Sequence, residues 1–243
     1  MGCRTFLIAA LDFLFPPLCH VCRTFIPDAT HVHICSACRE RLLPIDSPLC
    51  VVCGIPYVGA GEDHICGGCA TSRCHYDAAR AALVYEGISH DLIHAFKYRN
   101  KTHLCRPLAL LTIERLAGFV SARSPDLIIP VPLHRKRLRS RGFNQAVLLG
   151  NIFSDFWKIP LDRHNLRRIR WTEPQVNLSA HERRSNVKGA FYVQHPSQVS
   201  GRRVLLVDDV LTTGSTVEEC AAVLKKAGAV EVIVVTVVRA LVL

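Results

Sequence analysis

Val204-Leu205-Leu206-Val207-Asp208-Asp209-Val210-Leu211-Thr212-Thr213-Gly214-Ser215-Thr216 is the stretch on which the fold turns. Its first four residues are all apolar and read as a strand buried on both faces, Val204–Val207, ending in two adjacent acids. A hydroxyl-rich turn with one glycine follows, then a helix predicted over Thr216–Ala227 and ended by Gly228. Each part fits a task. Adjacent carboxylates at a strand end can accept hydrogen bonds from the two vicinal hydroxyls of a sugar. The turn Thr212–Thr216 can aim successive backbone N–H groups at a phosphate, aided by the positive end of the helix and by the hydroxyls of Thr212, Thr213, Ser215 and Thr216. Gly214 permits close approach of the backbone. Ser215 and Glu218 have capping-box spacing, in keeping with a helix start there. Two acids next to such a turn would repel a lone phosphate, so the pattern points to a ligand that carries a diol and a phosphate side by side.

Working outward, the chain predicts strands over Ala79–Tyr85, Asp126–Val131 and Glu231–Val238, with a short one over Phe191–Val193. Helices are predicted over Ser89–Lys97, Leu104–Arg115 and Asn144–Phe156. Continuous apolar strands alternating with helices imply an α/β domain with a parallel sheet covered on both faces, and a ligand site at the carboxyl ends of its strands. Arg167–Lys188, polar and with Pro174 inside it, is expected to be a long loop placed as a lid. Trp171 within it is open to three readings: lid anchor, stacking residue or simple apolar contact.

The amino-terminal third has different chemistry. Of 12 cysteines, eight form two sets of C-x2-C-x12-C-x2-C: Cys19, Cys22, Cys35, Cys38 and then Cys50, Cys53, Cys66, Cys69. The second set repeats the first at a constant offset, so this is an internal repeat. Four thiolates satisfy tetrahedral Zn²⁺ and leave no open position, so two structural zinc sites are expected. Sequential and interleaved pairings of the four knuckles both remain open. Gly54 and Gly67 each follow a ligand, where a small residue eases the knuckle backbone. Cys3, Cys74, Cys105 and Cys220 are left over, and the nearby histidines His20, His31, His33, His64 and His75 are expected at the surface. Residues 1–17 read as an amphipathic lead-in helix, interrupted by Asp12 and Pro16–Pro17 well short of a membrane span. With no export signal in view, the thiols are expected to stay reduced in the cytoplasm. The expected organisation is a lead-in helix over 1–17, a double zinc ribbon over 18–75 and an α/β domain over 76–243.

A hydrophobic fraction of 49% and a charged fraction of 21% exclude a disordered chain. The formal net charge of +10, from 30 Lys and Arg against 20 Asp and Glu, points to an anionic partner. Five of those cations fall within Arg135–Arg141, read as a basic loop after the Asp126–Val131 strand.

The Val204–Thr216 stretch resembles, at all thirteen positions, the phosphoribosyl pyrophosphate signature of type I phosphoribosyltransferases. The rest of the chain resembles the ComF family, associated with DNA uptake and natural competence. That likeness rests on the double Cys-x-x-Cys repeat, Phe96-Lys97-Tyr98, Pro130-Val131-Pro132-Leu133, Arg141-Gly142-Phe143-Asn144-Gln145, and Gln175 followed by Arg183-Arg184 and Asn186. It implies that Asp208, Asp209 and Thr212–Thr216 hold a ribose 5-phosphate. It also implies that Val131, Pro132, Arg135 and Arg139 face a pyrophosphate brought with Mg²⁺, with Lys97 and Arg99 as lesser candidates. Asp208, Asp209 and Arg135 are the expected catalytic residues, through fixing the sugar and neutralising the leaving group. Purine-salvage relatives carry an acid where this chain has Thr212, so hypoxanthine- or guanine-type salvage is not expected. Three functions stay open at this point: a phosphoribosyltransferase-type protein linked to DNA uptake, a non-catalytic sensor of the activated sugar that binds single-stranded DNA, and an active phosphoribosyltransferase of nucleotide metabolism. Trp157, Trp171 and neighbouring phenylalanines are the candidates for stacking on DNA bases.

Overall fold

The computed structural model describes residues 16–27, 32–72, 74–171 and 180–241. The expected lead-in helix, Pro174 and Gln175 therefore lie outside the described residues, as do the side chains of Arg183 and Arg184.

Four parallel strands form the central sheet in the order β1 (Ala78–Val84), β6 (Glu231–Arg239), β5 (Arg203–Leu211), β2 (Leu127–Pro130). Alternation along β5 sorts its side chains between two faces. Leu205 and Val207 join a core with α1 (Gly87–Tyr98), α2 (Cys105–Arg123) and α4 (Gln145–Trp157). Val204 and Leu206 join a second core with α6 (Ser215–Lys226). The sheet is thus covered on both faces, as its continuous apolar strands require.

Both sheet edges are closed. Leu43–Ile45 runs antiparallel to β1, with Ile45 N–H donating to Ala82 O (3.1 Å) and Val84 N–H to Leu43 O (2.8 Å). On the other edge Ile128 N–H donates to Pro160 O at 2.8 Å. Such covers remove the unpaired backbone groups that invite association.

The cysteine repeat maps onto the two faces. Cys19, Ile34 and Cys38 pack into the α1/α2 core, whereas Cys50 and Cys53 pack into the α6 core. Ion pairs Arg39–Glu114 and Arg115–Asp46 fasten the first ribbon to α2.

Several elements differ from expectation. Arg135–Arg141 is not a loop but a helix, α3. His134 caps it, its ring nitrogen accepting from Lys136 N–H at 3.2 Å, and Gly142 ends it at φ +82°, a left-handed conformation that favours glycine. Helix α2 runs past Arg115 to Arg123. Strand β5 runs on to Leu211, because Val210 and Leu211 keep pairing with Val238 and Arg239, so Asp208 and Asp209 lie inside the strand and not beyond its end. The expected Arg167–Lys188 loop holds the end of β3 (Leu166–Arg168), which pairs antiparallel with β4 (Phe191–Val193), and a helix, α5 (Ala180–Val187). Ser215 is the first residue of α6, not its cap. Gly214 at φ +79° holds the cap position, and Glu218 accepts instead from His75 N–H at 2.9 Å.

Candidate functional site

The two cysteine sets close sequentially. The sulfurs of Cys19, Cys22, Cys35 and Cys38 all lie within 4.8 Å of one another, and so do those of Cys50, Cys53, Cys66 and Cys69. Ligands 2.3 Å from a tetrahedral ion stand about 3.8 Å apart. Cys22–Cys35 at 3.6 Å and Cys53–Cys66 at 3.8 Å match that spacing. Backbone N–H groups of Cys53 and Cys66 point at the Cys50 sulfur from 3.4 and 3.3 Å, which suits a thiolate and not a disulfide. These are two zinc-binding clusters of structural type. Cys74 adds a fifth thiol beside the second, 4.0 Å from Cys69. Of the nearby histidines, His20 is half-buried, stacked on His33 with centroids 5.6 Å apart, while His64 and His75 are exposed.

A separate cavity of about 560 Å³ opens at the carboxyl ends of the central strands. Val131 and Pro132 line it after β2, and Asp208 through Leu211 line it from the last part of β5. Tyr85 follows β1 and Ala240 follows β6 on the same wall. Thr212, Gly214, Ser215 and Thr216 complete that side, while Thr213 is half-buried outside the cavity lining, its hydroxyl 2.9 Å from that of Ser215.

The two acids sit in unlike surroundings because the pleat sends neighbours to opposite faces. Asp209 points to the α1 side and is 5% exposed. Its Oδ2 lies 3.0 Å from Lys97 Nζ, an ion pair without hydrogen-bond geometry, so that oxygen still lacks a hydrogen-bond partner. Burial alone would pull the Lys97 ammonium down, but the carboxylates of Asp209 and Asp208 hold it above its ordinary value. Asp208 is half-buried and faces the α6 side near Cys220 and Arg168. Its carboxyl is pushed up to about 8, first by burial and then by the charge on Asp209, against the pull of Lys97.

Four cationic side chains, Lys97, Arg137, Arg141 and Arg168, line the cavity with these two acids, so its balance favours an anionic ligand. Helix phase decides which arginines of α3 take part. Arg137 and Arg141, one turn apart, line the cavity and are half-buried. Arg135 and Arg139, the pair singled out from sequence, are exposed on the other side of the helix and do not line it. Arg141 lies over the Tyr98 ring at 5.1 Å, which fixes its direction. Arg99 is exposed and outside the cavity. Trp171 is on the wall, edge-on to His134 at 5.3 Å. Trp157, considered for stacking on DNA, instead packs on Phe153 at 5.0 Å with its ring nitrogen buried. Sequence reasoning missed Tyr85 and His90, which carry no motif and reach the wall only through the fold.

Comparison with known proteins agrees with this architecture. Residues 10–70 match the double zinc ribbon domain, and residues 147–242 match the phosphoribosyl transferase domain. Competence protein F of Haemophilus influenzae is 39% identical over 145 residues, covering 58% of this chain and 63% of that protein. DNA utilization protein YhgH of Escherichia coli O157:H7 is 40% identical over 144 residues, covering 58% and 63%. The match thus spans somewhat under two thirds of the length of either relative. Among solved structures, glutamine phosphoribosylpyrophosphate amidotransferase from B. subtilis, complexed with ADP and GMP, aligns with a TM-score of 0.37 and 21% identity, over 55% of this chain and 26% of that one. No described helix is long and apolar enough to cross a membrane. The chain is a homologue of competence protein F and the YhgH proteins, with an amino-terminal double zinc ribbon followed by a type I phosphoribosyltransferase-like domain.

Proposed function

We propose that this cavity binds phosphoribosyl pyrophosphate with Mg²⁺, and that the protein acts in the uptake or utilisation of DNA. The observation that carries the reading is the β5–turn–α6 unit, in which two adjacent acids near the end of the strand precede a hydroxyl-bearing turn at a helix amino terminus, inside a cavity rich in arginine. The Thr212–Thr216 turn and the amino terminus of α6 hold the 5-phosphate. Asp208 and Asp209 accept from the sugar hydroxyls, Asp209 beside the Lys97 ammonium. Arg137 and Arg141 neutralise the pyrophosphate, the role expected from sequence for Arg135 and Arg139.

Magnesium fits as part of the ligand and not as a resident ion. Asp208 and Asp209 are the carboxylates on the cavity wall among the described residues, and Asp209 is already paired with Lys97. When bound, the ion adds neutralisation of the departing pyrophosphate.

Calorimetry with phosphoribosyl pyrophosphate and Mg²⁺ tests the reading. Wild type is expected to bind, and the Asp208→Asn/Asp209→Asn variant to lose at least tenfold in affinity; absence of heat with folded wild type overturns it.

A second reading has its own support. The outer side of α3 presents Arg135, Lys136 and Arg139 to solvent, a row suited to the phosphodiester backbone of single-stranded DNA. It predicts binding of a fluorescent oligonucleotide that weakens steeply with salt, and loss of that binding in Arg135→Ala/Arg139→Ala.

A further inference from the structure

Resting on the phosphoribosyl pyrophosphate reading, we propose that Gln145 binds the ligand at the end away from the sugar phosphate, its side-chain amide donating to a pyrophosphate oxygen. Gln145 is the first residue of α4, lies on the cavity wall and is 3% exposed. Its Nε2 has no hydrogen-bond partner. A buried donor without an acceptor is a cost that folded proteins rarely carry without a use.

Its neighbour shows the contrast. Asn144 spends both ends of its amide on structure: Oδ1 accepts from Ala146 N–H at 2.9 Å as the cap of α4, and Nδ2 donates to Val131 O at 3.0 Å. Gln145 makes no such bond, so the local fold does not explain why an amide stands there.

Three features around it select an oxyanion. Helix α4 is 13 residues long, and its positive end meets the cavity through Asn144 and Gln145. Arg137 and Arg141 share the wall. The end of β2, Val131–Pro132, lies one strand over from β5 and its phosphate turn, because β2 pairs with β5. A ligand anchored by its 5-phosphate at the turn therefore brings its second anionic group to α4.

An oxygen acceptor here can come from pyrophosphate or from a ribose hydroxyl, and three probes separate them. Calorimetry with Mg²⁺-pyrophosphate, ribose 5-phosphate and phosphoribosyl pyrophosphate is run on wild type and Gln145→Met, which keeps length and removes the donor. The variant is expected to bind pyrophosphate and phosphoribosyl pyrophosphate at least about tenfold more weakly, the worth of one hydrogen bond to a charged group. Ribose 5-phosphate should bind as in wild type, and the ligand-free variant should melt no lower than wild type because an unmet donor has gone.

Unchanged pyrophosphate affinity, a loss confined to ribose 5-phosphate, or a ligand-free melting temperature lowered by several degrees each overturns the role of Gln145 alone. Wild type that binds none of the three probes overturns the underlying phosphoribosyl reading. Gln145→Glu, equal in size and repelling to an oxyanion, repeats the test with an expected loss at least as large.

Discussion

Lys97→Met isolates the electrostatics of the cavity floor. Lys97 Nζ and Asp209 Oδ2 are 3.0 Å apart, with side chains 18% and 7% exposed, so water screens the pair weakly. At an effective dielectric of 20 the attraction at that distance is about 5 kcal/mol. Desolvation of both ions offsets much of it, but removing the lysine alone leaves a buried carboxylate without a counter-ion, which costs about 3 to 5 kcal/mol. The loss should depend on pH. Lys97 lowers the Asp208 carboxyl, itself pushed up to about 8, so in the variant that carboxyl moves higher still. A carboxyl raised in the folded state keeps a proton that the unfolded chain releases above about pH 4, so the stability it contributes is present below that pH and is lost as pH climbs through the folded value. Below about pH 8 both proteins keep that proton and lose stability alike, so this part of the deficit should grow only as pH climbs past about 8. Lys97 itself is held above its ordinary 10.5 and does not titrate in that window. Urea unfolding followed by circular dichroism, in zinc-containing buffer at pH 5 and 8.5, measures the effect. Adding Asp209→Asn should restore most of the loss. A deficit under about 1 kcal/mol at pH 8.5, or a double variant no more stable than Lys97→Met, refutes the reasoning.

Three further outcomes are expected. Gly54→Ala should destabilise by about 3 kcal/mol in urea titration, since φ is +71° and the new Cβ would lie 2.4 Å from Ala79 O, a strand carbonyl that cannot move aside. Elemental analysis of protein kept from chelators should find two zinc per chain. Stripping the metal removes roughly 10 kcal/mol or more per site and should expose residues 16–72 to protease, so fewer than about one zinc refutes the assignment. Arg137→Ala and Arg141→Ala should each weaken phosphoribosyl pyrophosphate binding about tenfold, with Arg135→Ala nearly neutral; calorimetry showing the reverse order would restore the assignment made from sequence.

That last contrast marks where sequence stops being readable. Residues of Arg135–Arg141 on either side of Leu138 form two one-turn pairs, 135/139 and 137/141, and sequence spacing treats them alike. Only the seating of α3 between the end of β2 and Gly142 turns 137 and 141 inward, and with one apolar residue in seven the helix carries no periodicity to announce itself. The buried strands β2, β5 and β6 were legible because being covered on two faces demands unbroken apolar runs. The length of β5 was not, since two acids inside a buried strand contradict its pattern and make sense only beside Lys97, which is remote in the chain. The cysteine spacing revealed the metal ligands fully, yet left their pairing to the fold. Pairing of β3 with β4 was hidden for the same reason as the ion pair: it joins segments separated by a stretch with no pattern of its own.

The ribbons and the sheet need each other. Strand β1 reads Ala78-Ala79-Arg80-Ala81-Ala82, and side chains this small cover little of an edge strand. The shortage is also what admits the ribbons: Gly54 sits against the Ala79 carbonyl, and Val52 O accepts from Ala79 N–H at 2.7 Å. One repeat fills the α1/α2 face beside Ala78 and Ala82, the other fills the α6 face beside Ala79, and Leu43–Ile45 crosses the edge between them as an added strand. A duplicated module serves because an edge strand has two bare faces. The second ribbon also reaches toward the cavity. Arg239, buried at the end of β6, donates to Cys53 O at 2.6 Å, and His75, a few residues beyond Cys69, is held by Glu218 in the first turn of α6. The helix that opens after the Thr212–Gly214 turn is therefore braced by a residue close to the second cysteine cluster, which ties the shape of the cavity to that cluster.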